Sequence, residues 1–119
     1  MRTSVWLIRH GQTEANRERR YQSYSDSPLT SYGRQQVTAL AERLRPIPFG
    51  LIITSPRART RLAAEAILAG RRAVELHEDA AWAEVNHGRW EGLTYAEVLA
   101  RHPEEARARW AGGVHGKAE

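Results

Sequence analysis

The sequence predicts an α/β fold with a mostly parallel sheet, and three observations predict it. Short apolar runs at residues 4–9, 51–53 and 74–76 have the length and composition of strands. Helix-length segments with apolar residues at three- and four-residue spacing separate them. Strands alternating with helices in the order β-α-β-α-β are joined by crossovers, and strands joined that way run parallel.

Each element has its own reason. Val5, Trp6, Leu7 and Ile8 make a first strand expected to be buried, and it runs into Arg9, His10 and Gly11 at its carboxyl edge. A polar loop spans 11–28. A helix over 31–44 carries Val37, Leu40, Ala41 and Leu44 on one face, with Thr30 or Ser31 as its cap and Pro46 at its end. Leu51, Ile52 and Ile53 form a second, continuously apolar and therefore buried strand. Ser55 then reads as an N-cap with Pro56 at the first helical position, and a helix over about 57–68 is closed by Gly70. Val74, Glu75 and Leu76 make a third strand. Residues 82–92 read as an irregular aromatic-rich loop, and Thr94 and Glu97 form a capping box for a helix that Pro103 interrupts. A short helix over 104–110 precedes a glycine-containing end at 111–119 expected to be flexible. Trp82, Trp90 and Trp110 are expected to pack in the core.

At 119 residues one domain is expected over 1–119. The hydrophobic fraction of 41% and charged fraction of 27% are those of a globular protein, and no apolar run could span a bilayer. The amino terminus lacks a signal-peptide pattern and there is no cysteine, so a cytoplasmic location without disulfides is expected. Lysine plus arginine outnumber aspartate plus glutamate by 18 to 14. The arginines alternate with glutamates along helical segments as on a solvated face, so neither nucleic acid nor membrane is expected as a partner. A modest positive excess suits anionic small-molecule substrates.

The chemistry starts at Arg9-His10-Gly11. Open α/β sheets bind ligands at the carboxyl ends of their strands. Arginine presents a planar fork of donors to phosphate oxygens, and a neutral imidazole is a nitrogen nucleophile. Glycine lets backbone approach a ligand closely. The tripeptide reads as a phosphoryl-handling site.

Three further segments follow in order: Asp26-Ser27-Pro28-Leu29-Thr30-Ser31-Tyr32-Gly33, Ser55-Pro56-Arg57-Ala58-Arg59-Thr60-Arg61, and Glu84-Val85-Asn86-His87-Gly88-Arg89-Trp90-Glu91-Gly92. Together with Arg9-His10-Gly11 they resemble the histidine phosphatase superfamily, which is phosphoglycerate mutase-like. The resemblance implies a three-layer α/β/α fold and a phosphomonoesterase working through phosphohistidine on small phosphate esters. His10 would be the nucleophile, Arg9 and Arg59 the cations on the phosphoryl oxygens, and Glu84 the general acid. A carboxyl beside a phosphate anion has its pKa raised, which suits that last role. Gly11, Gln12, Thr13 and Asn16 would bind substrate or phosphate, and Arg57 competes with Arg59. Glu91 and the segment around Leu29 and Gly33 would be structural, and His87 structural or substrate-lining. No cofactor or metal is expected, because cationic groups can supply the electrostatic stabilisation.

The resemblance also implies a second histidine at the end of a later strand, lying between the first and second strands of the sheet. His115-Gly116 has the letters but no strand before it, and His77 and His102 also lack one. The expectation is of a chain truncated at its carboxyl end, lacking that strand and one or two helices. Such a chain should fold poorly alone, form a homo-oligomer, or be completed by another chain. The alternatives to a phosphatase are phosphoglycerate mutase-type transfer and a non-catalytic phosphate-ligand binding fragment.

Overall fold

The computed structural model describes residues 1–111. Its elements are α1 (Glu14–Arg17), α2 (Ser31–Leu44), β1 (Leu51–Thr54), α3 (Ala58–Leu68), β2 (Glu75–Glu78), α4 (Tyr95–Arg101) and α5 (Pro103–Ala111), with 3-10 turns at Ala80–Trp82 and Gly88–Trp90. His115 and Gly116 lie outside the described residues. No helix among those described is long and apolar enough to cross a membrane.

The chain is α/β and its strands are parallel: β1 pairs with β2 in the register Leu51↔Glu75 to Thr54↔Glu78. The first apolar run departs from expectation. Residues 4–9 form no strand and are exposed rather than buried. Leu51 and Ile53 are likewise about half exposed, and all four residues of β2 are exposed. The reason is common to all of them. A strand is fixed and covered by its neighbours; among the described residues β1 and β2 each have a partner on one edge only, and residues 3–8 run beside the other edge of β1 with no backbone–backbone bond to it. Between them lies a cavity of about 600 Å³.

The helices follow the sequence more closely. Thr30 caps α2, its side chain accepting from the Gly33 N–H, and Gly33, Val37 and Leu44 are buried. Val37 packs with Leu29 and Ala63, joining α2 to α3. The Arg71 guanidinium donates to the carbonyls of Leu44, Ile47 and Ile67, which ties together the carboxyl ends of both helices where a cation is favoured. In α3 the capping differs from expectation. The N-cap is Arg57, not Ser55, and no side chain of its own segment caps it. The first helical N–H, from Ala58, donates instead to Asp26 Oδ1 at 3.0 Å. Gly70 follows α3 at φ 73°, a conformation glycine adopts without penalty.

A second cluster gathers Trp90, Val98 and Ala106, all at 0% exposure, with Tyr21 and Leu93 against them. Trp90 is the core tryptophan. Trp82 and Trp110 stay about half exposed, although Trp110 stacks on Trp90 with ring centroids 5.8 Å apart. The Thr94–Glu97 capping box forms at the start of α4, and Pro103 opens α5 as its first residue.

One contact positions the site. Gly11 lies against the first turn of α2 so closely that a Cβ on Gly11 would meet the Gly33 carbonyl oxygen at 2.4 Å, and one on Gly33 would meet the Gln12 carbonyl oxygen at 2.0 Å. Gly11 was expected to admit a ligand, but what it admits here is backbone. The Thr30 N–H donates to the Gln12 carbonyl at 2.9 Å and completes the junction. Gly33→Ala should therefore lower stability by about 1–3 kcal/mol, since backbone cannot yield as a flexible side chain would. Denaturant melts check this, and an unchanged midpoint would mean that residues 10–12 do not rest on α2.

Candidate active site

His10 emerges from the unpaired segment at the point where Gly11 turns onto α2. Its Nδ1 lies 2.7 Å from the Gly11 carbonyl oxygen. A carbonyl only accepts, so Nδ1 carries the proton and Nε2 is left with its lone pair. Burial pushes the His10 pKa below the ordinary imidazole value. The Gly11 bond opposes this, the Arg59 and Arg9 charges add to it, and Glu84 opposes it. The net effect favours a neutral ring.

The residues expected in the site divide into those brought to His10 and those held elsewhere. Arg59, Arg9 and Glu84 all lie near enough for their charges to act on His10. Arg9 is exposed. Glu84 is exposed as well, its Oε1 accepting from the Val85 N–H at 3.0 Å, and its charge also acts on Arg59 and His87. Arg59 is only 4% exposed, and burial lowers its pKa against the favourable charges of Asp26 and Glu84. Two of its N–H groups are committed to loop carbonyls, Ser25 at 3.1 Å and Ser23 at 2.9 Å. Arg57 donates to the Tyr24 carbonyl of the same loop with its guanidinium over the Tyr24 ring, and its charge acts on Arg59.

The first loop contains a helix that was not expected. Thr13 caps α1, its side chain accepting from the Asn16 N–H while Asn16 Oδ1 accepts from the Thr13 N–H. Thr13 is at 0% exposure and its hydroxyl proton goes to Gln22 Oε1, so it cannot offer a ligand the donor expected of it. Asn16 keeps its amide N–H groups outside the box. Gln12 Oε1 accepts from the Thr30 hydroxyl, and its N–H donates to Gln36 Oε1. Thr13-x-x-Asn16 is a capping signal in hindsight, with Asn in the place usually held by Glu or Gln.

Sequence reasoning also missed the clamp on residues 23–26. Glu91 accepts from the backbone N–H groups of Ser23 and Ser25 and from both their hydroxyls. Burial raises the Glu91 pKa, but these bonds outweigh it and hold the carboxyl below its ordinary value. Arg59 grips the carbonyls of the same two serines from the other side. His87 is buried against Tyr21 with centroids 5.1 Å apart, and its N–H donates to Ser23 Oγ at 3.2 Å. Two isolated serines carry no sequence signal for this. Among the described residues no three His, Asp or Glu side chains converge as a metal site.

The arrangement places the His10 imidazole within reach of two cations and a carboxylate, with Arg59 held in turn by the clamped loop of residues 23–26. Two substitutions test the placement with opposite signs. Glu84→Gln removes a negative charge and should lower the His10 pKa further, whereas Arg9→Gln removes a positive one and should raise it. NMR titration of the imidazole reads both, and shifts of the same sign would contradict the geometry.

A family model described as the histidine phosphatase superfamily (branch 1) matches residues 5–118. Phosphoserine phosphatase 1 of Hydrogenobacter thermophilus is 35% identical over 109 residues, 92% of this chain and 51% of that protein. The 2,3-bisphosphoglycerate-dependent phosphoglycerate mutase 2 of Gloeobacter violaceus is 34% identical over 113 residues, 93% of this chain and 52% of that protein. Among solved structures, the alpha-ribazole phosphatase from Shigella flexneri superposes with a TM-score of 0.87 at 28% identity, covering 94% of this chain and 55% of that one. The chain spans about half the length of these relatives.

Proposed function

The chain belongs to the histidine phosphatase superfamily, and from that premise we propose that it is a phosphomonoesterase that works through a phosphohistidine at His10. The observation that carries this reading is the His10 Nδ1–H···O=C bond to Gly11, which supplies the tautomer that a nitrogen nucleophile needs. Burial and the Arg59 and Arg9 charges support the neutral form.

In the first step the Nε2 lone pair attacks phosphorus, an N–P bond forms, and the bond from phosphorus to the ester oxygen breaks. Glu84, a carboxylate in the free site, takes up a proton beside the bound phosphate anion and gives it to that departing oxygen, so an alcohol leaves rather than an alkoxide. In the second step Glu84, now a carboxylate, takes a proton from water as the water oxygen attacks phosphorus. The N–P bond breaks, inorganic phosphate leaves, Glu84 releases that proton, and His10 and Glu84 return to their starting states. Arg9 and the remaining N–H groups of Arg59 neutralise the phosphoryl oxygens, whose positioning and charge dominate this type of transfer. Gln12 and Asn16 contribute amide donors toward the ester. Small phosphate esters are the substrate class, and the cytoplasm is the proposed location.

The mutase reading shares the first step and replaces water by a substrate hydroxyl. Relatives of both kinds match this chain at nearly equal identity. Product analysis separates the two, because a mutase returns the phosphoryl group to an alcohol and releases little inorganic phosphate.

Hydrolysis of an aryl phosphate in the presence of a chelator is the test. His10→Ala should reduce turnover by about three decades or more. Glu84→Gln should impair alkyl phosphates far more than aryl phosphates, whose leaving groups need no proton. Because the nucleophile is the neutral ring and its pKa is lowered, turnover should persist to a pH below the ordinary imidazole value and fall only as His10 protonates. Turnover that survives His10→Ala, or a folded chain that binds phosphate without turning over esters, would reject the reading.

A further inference from the structure

We propose that Glu91 is a positioning residue for the reaction at His10: through Ser23 and Ser25 it holds the loop carbonyls that aim the Arg59 guanidinium at the phosphoryl group. The inference rests on the phosphatase reading and adds to it a residue that does not itself touch the ester.

Glu91 takes no direct part in the chemistry, because its capacity to accept is already used. An ionised carboxylate has about four lone-pair sites. The Ser23 N–H lies 2.9 and 3.0 Å from the two Glu91 oxygens, the Ser25 N–H lies 3.2 Å from Oε1, and both serine hydroxyls donate as well. These donors precede Glu91 by 68 and 66 positions. The turn that carries Glu91 needs none of this, since the Glu91 N–H already closes it on the Gly88 carbonyl. The side chain is spent on the distant loop.

Ser23 passes that hold to Arg59. It is at 0% exposure and each of its polar groups has a partner. Its hydroxyl gives its one proton to Glu91 Oε2, the hydroxyl oxygen accepts from the His87 N–H at 3.2 Å, and its carbonyl accepts from Arg59 Nη2 at 2.9 Å. The donors of this residue thus face the carboxylate and its carbonyl faces the guanidinium. Ser25 repeats the pattern, accepting from Arg59 Nη1 at 3.1 Å, but Ser25 is exposed. Water can replace a bond lost at Ser25, whereas a bond lost at Ser23 leaves a buried group unpaired.

The two serine carbonyls are what fix the guanidinium. Its other near partner, Asp26 Oδ1, is 3.9 Å away and accepts from the Ala58 N–H. Two bonds to a planar fork set its orientation and leave its other donors for phosphoryl oxygens. A cation placed before the reaction begins stabilises developing charge without reorganising, and that advantage falls steeply with a small displacement.

The test uses two variants of the full chain. Glu91→Gln turns an NH2 group toward donors of its own kind and releases the serine segment. Ser23→Ala removes the buried hydroxyl and keeps the Glu91 charge, so the test survives if the first variant does not fold. The Arg59 charge lowers the His10 pKa, so releasing Arg59 should raise it in both variants, as read by NMR titration of the imidazole. Loss of the Glu91 charge acting directly would lower it instead. With an aryl phosphate, kcat should fall about tenfold in both variants while KM changes by less than about threefold. In an Arg59→Met background neither substitution should move the His10 titration further. A His10 pKa that falls or is unchanged in folded Ser23→Ala, a rise that persists without Arg59, or an unchanged kcat would each overturn the proposal. A wild-type chain that turns over no ester defeats the phosphatase reading, and the titrations still decide whether Glu91 places Arg59.

Discussion

The approach of Gly11 to Gly33 is the constraint on which the site depends. Neither backbone could come so near with a side chain in place, and the contact sets where His10 leaves the extended segment. Among the described residues no strand pairs with residues 10–12. Their position comes from α2 instead, through the Gly11–Gly33 contact, the Thr30 N–H on the Gln12 carbonyl and the Thr30 hydroxyl on the Gln12 side chain. The Gly11 carbonyl that fixes the His10 tautomer belongs to the residue that makes the contact. Packing and proton placement are thus set by one peptide.

A second arrangement carries that order across the site. Residues 23–25 have no regular structure, yet Glu91 accepts their N–H and O–H groups while Arg59 donates to their carbonyls. A buried arginine is costly unless its donors are satisfied. Here the loop satisfies it, and in return Arg59 is held where its charge reaches His10. Glu91 therefore acts on the site at a distance. Its carboxylate is stabilised by the serine bonds, so the clamp is intact above the ordinary carboxyl range and loosens as pH falls through its lowered pKa.

What was legible in the sequence follows from the range of the forces involved. The bounds of α2 and the capping box of α4 are local, decided by residues three or four apart, and both emerge as read. The cap of α3 was misread because its acceptor, Asp26, lies 32 positions away. The ordered motifs were enough to identify the family and to bring His10, Arg9, Arg59 and Glu84 to one place. They could not show that Thr13 is occupied by α1 and Gln22, or that Ser23 and Ser25 bridge Glu91 to Arg59, because these depend on tertiary contacts between residues without special chemistry. The buried first strand failed for a different reason. Apolar content marks a segment as suited to a sheet, but only a partner makes it a strand.

Site and sheet are held in different ways, and the cause is physical. The loops around His10 are held by bonds to helices α2 and α3 and to the Gly88–Trp90 turn, all of which find their partners within the described residues. Among the described residues the sheet is the one pair β1 and β2. Leu51 and Ile53, whose peptide groups point away from β2, are about half exposed, and all four residues of β2 are exposed. Helix-borne contacts assemble without the sheet because each helix satisfies its own backbone, whereas a strand cannot. The chemical groups can accordingly be held in place by helix-borne contacts alone, and His10 lines the cavity beside β1 together with Ser55.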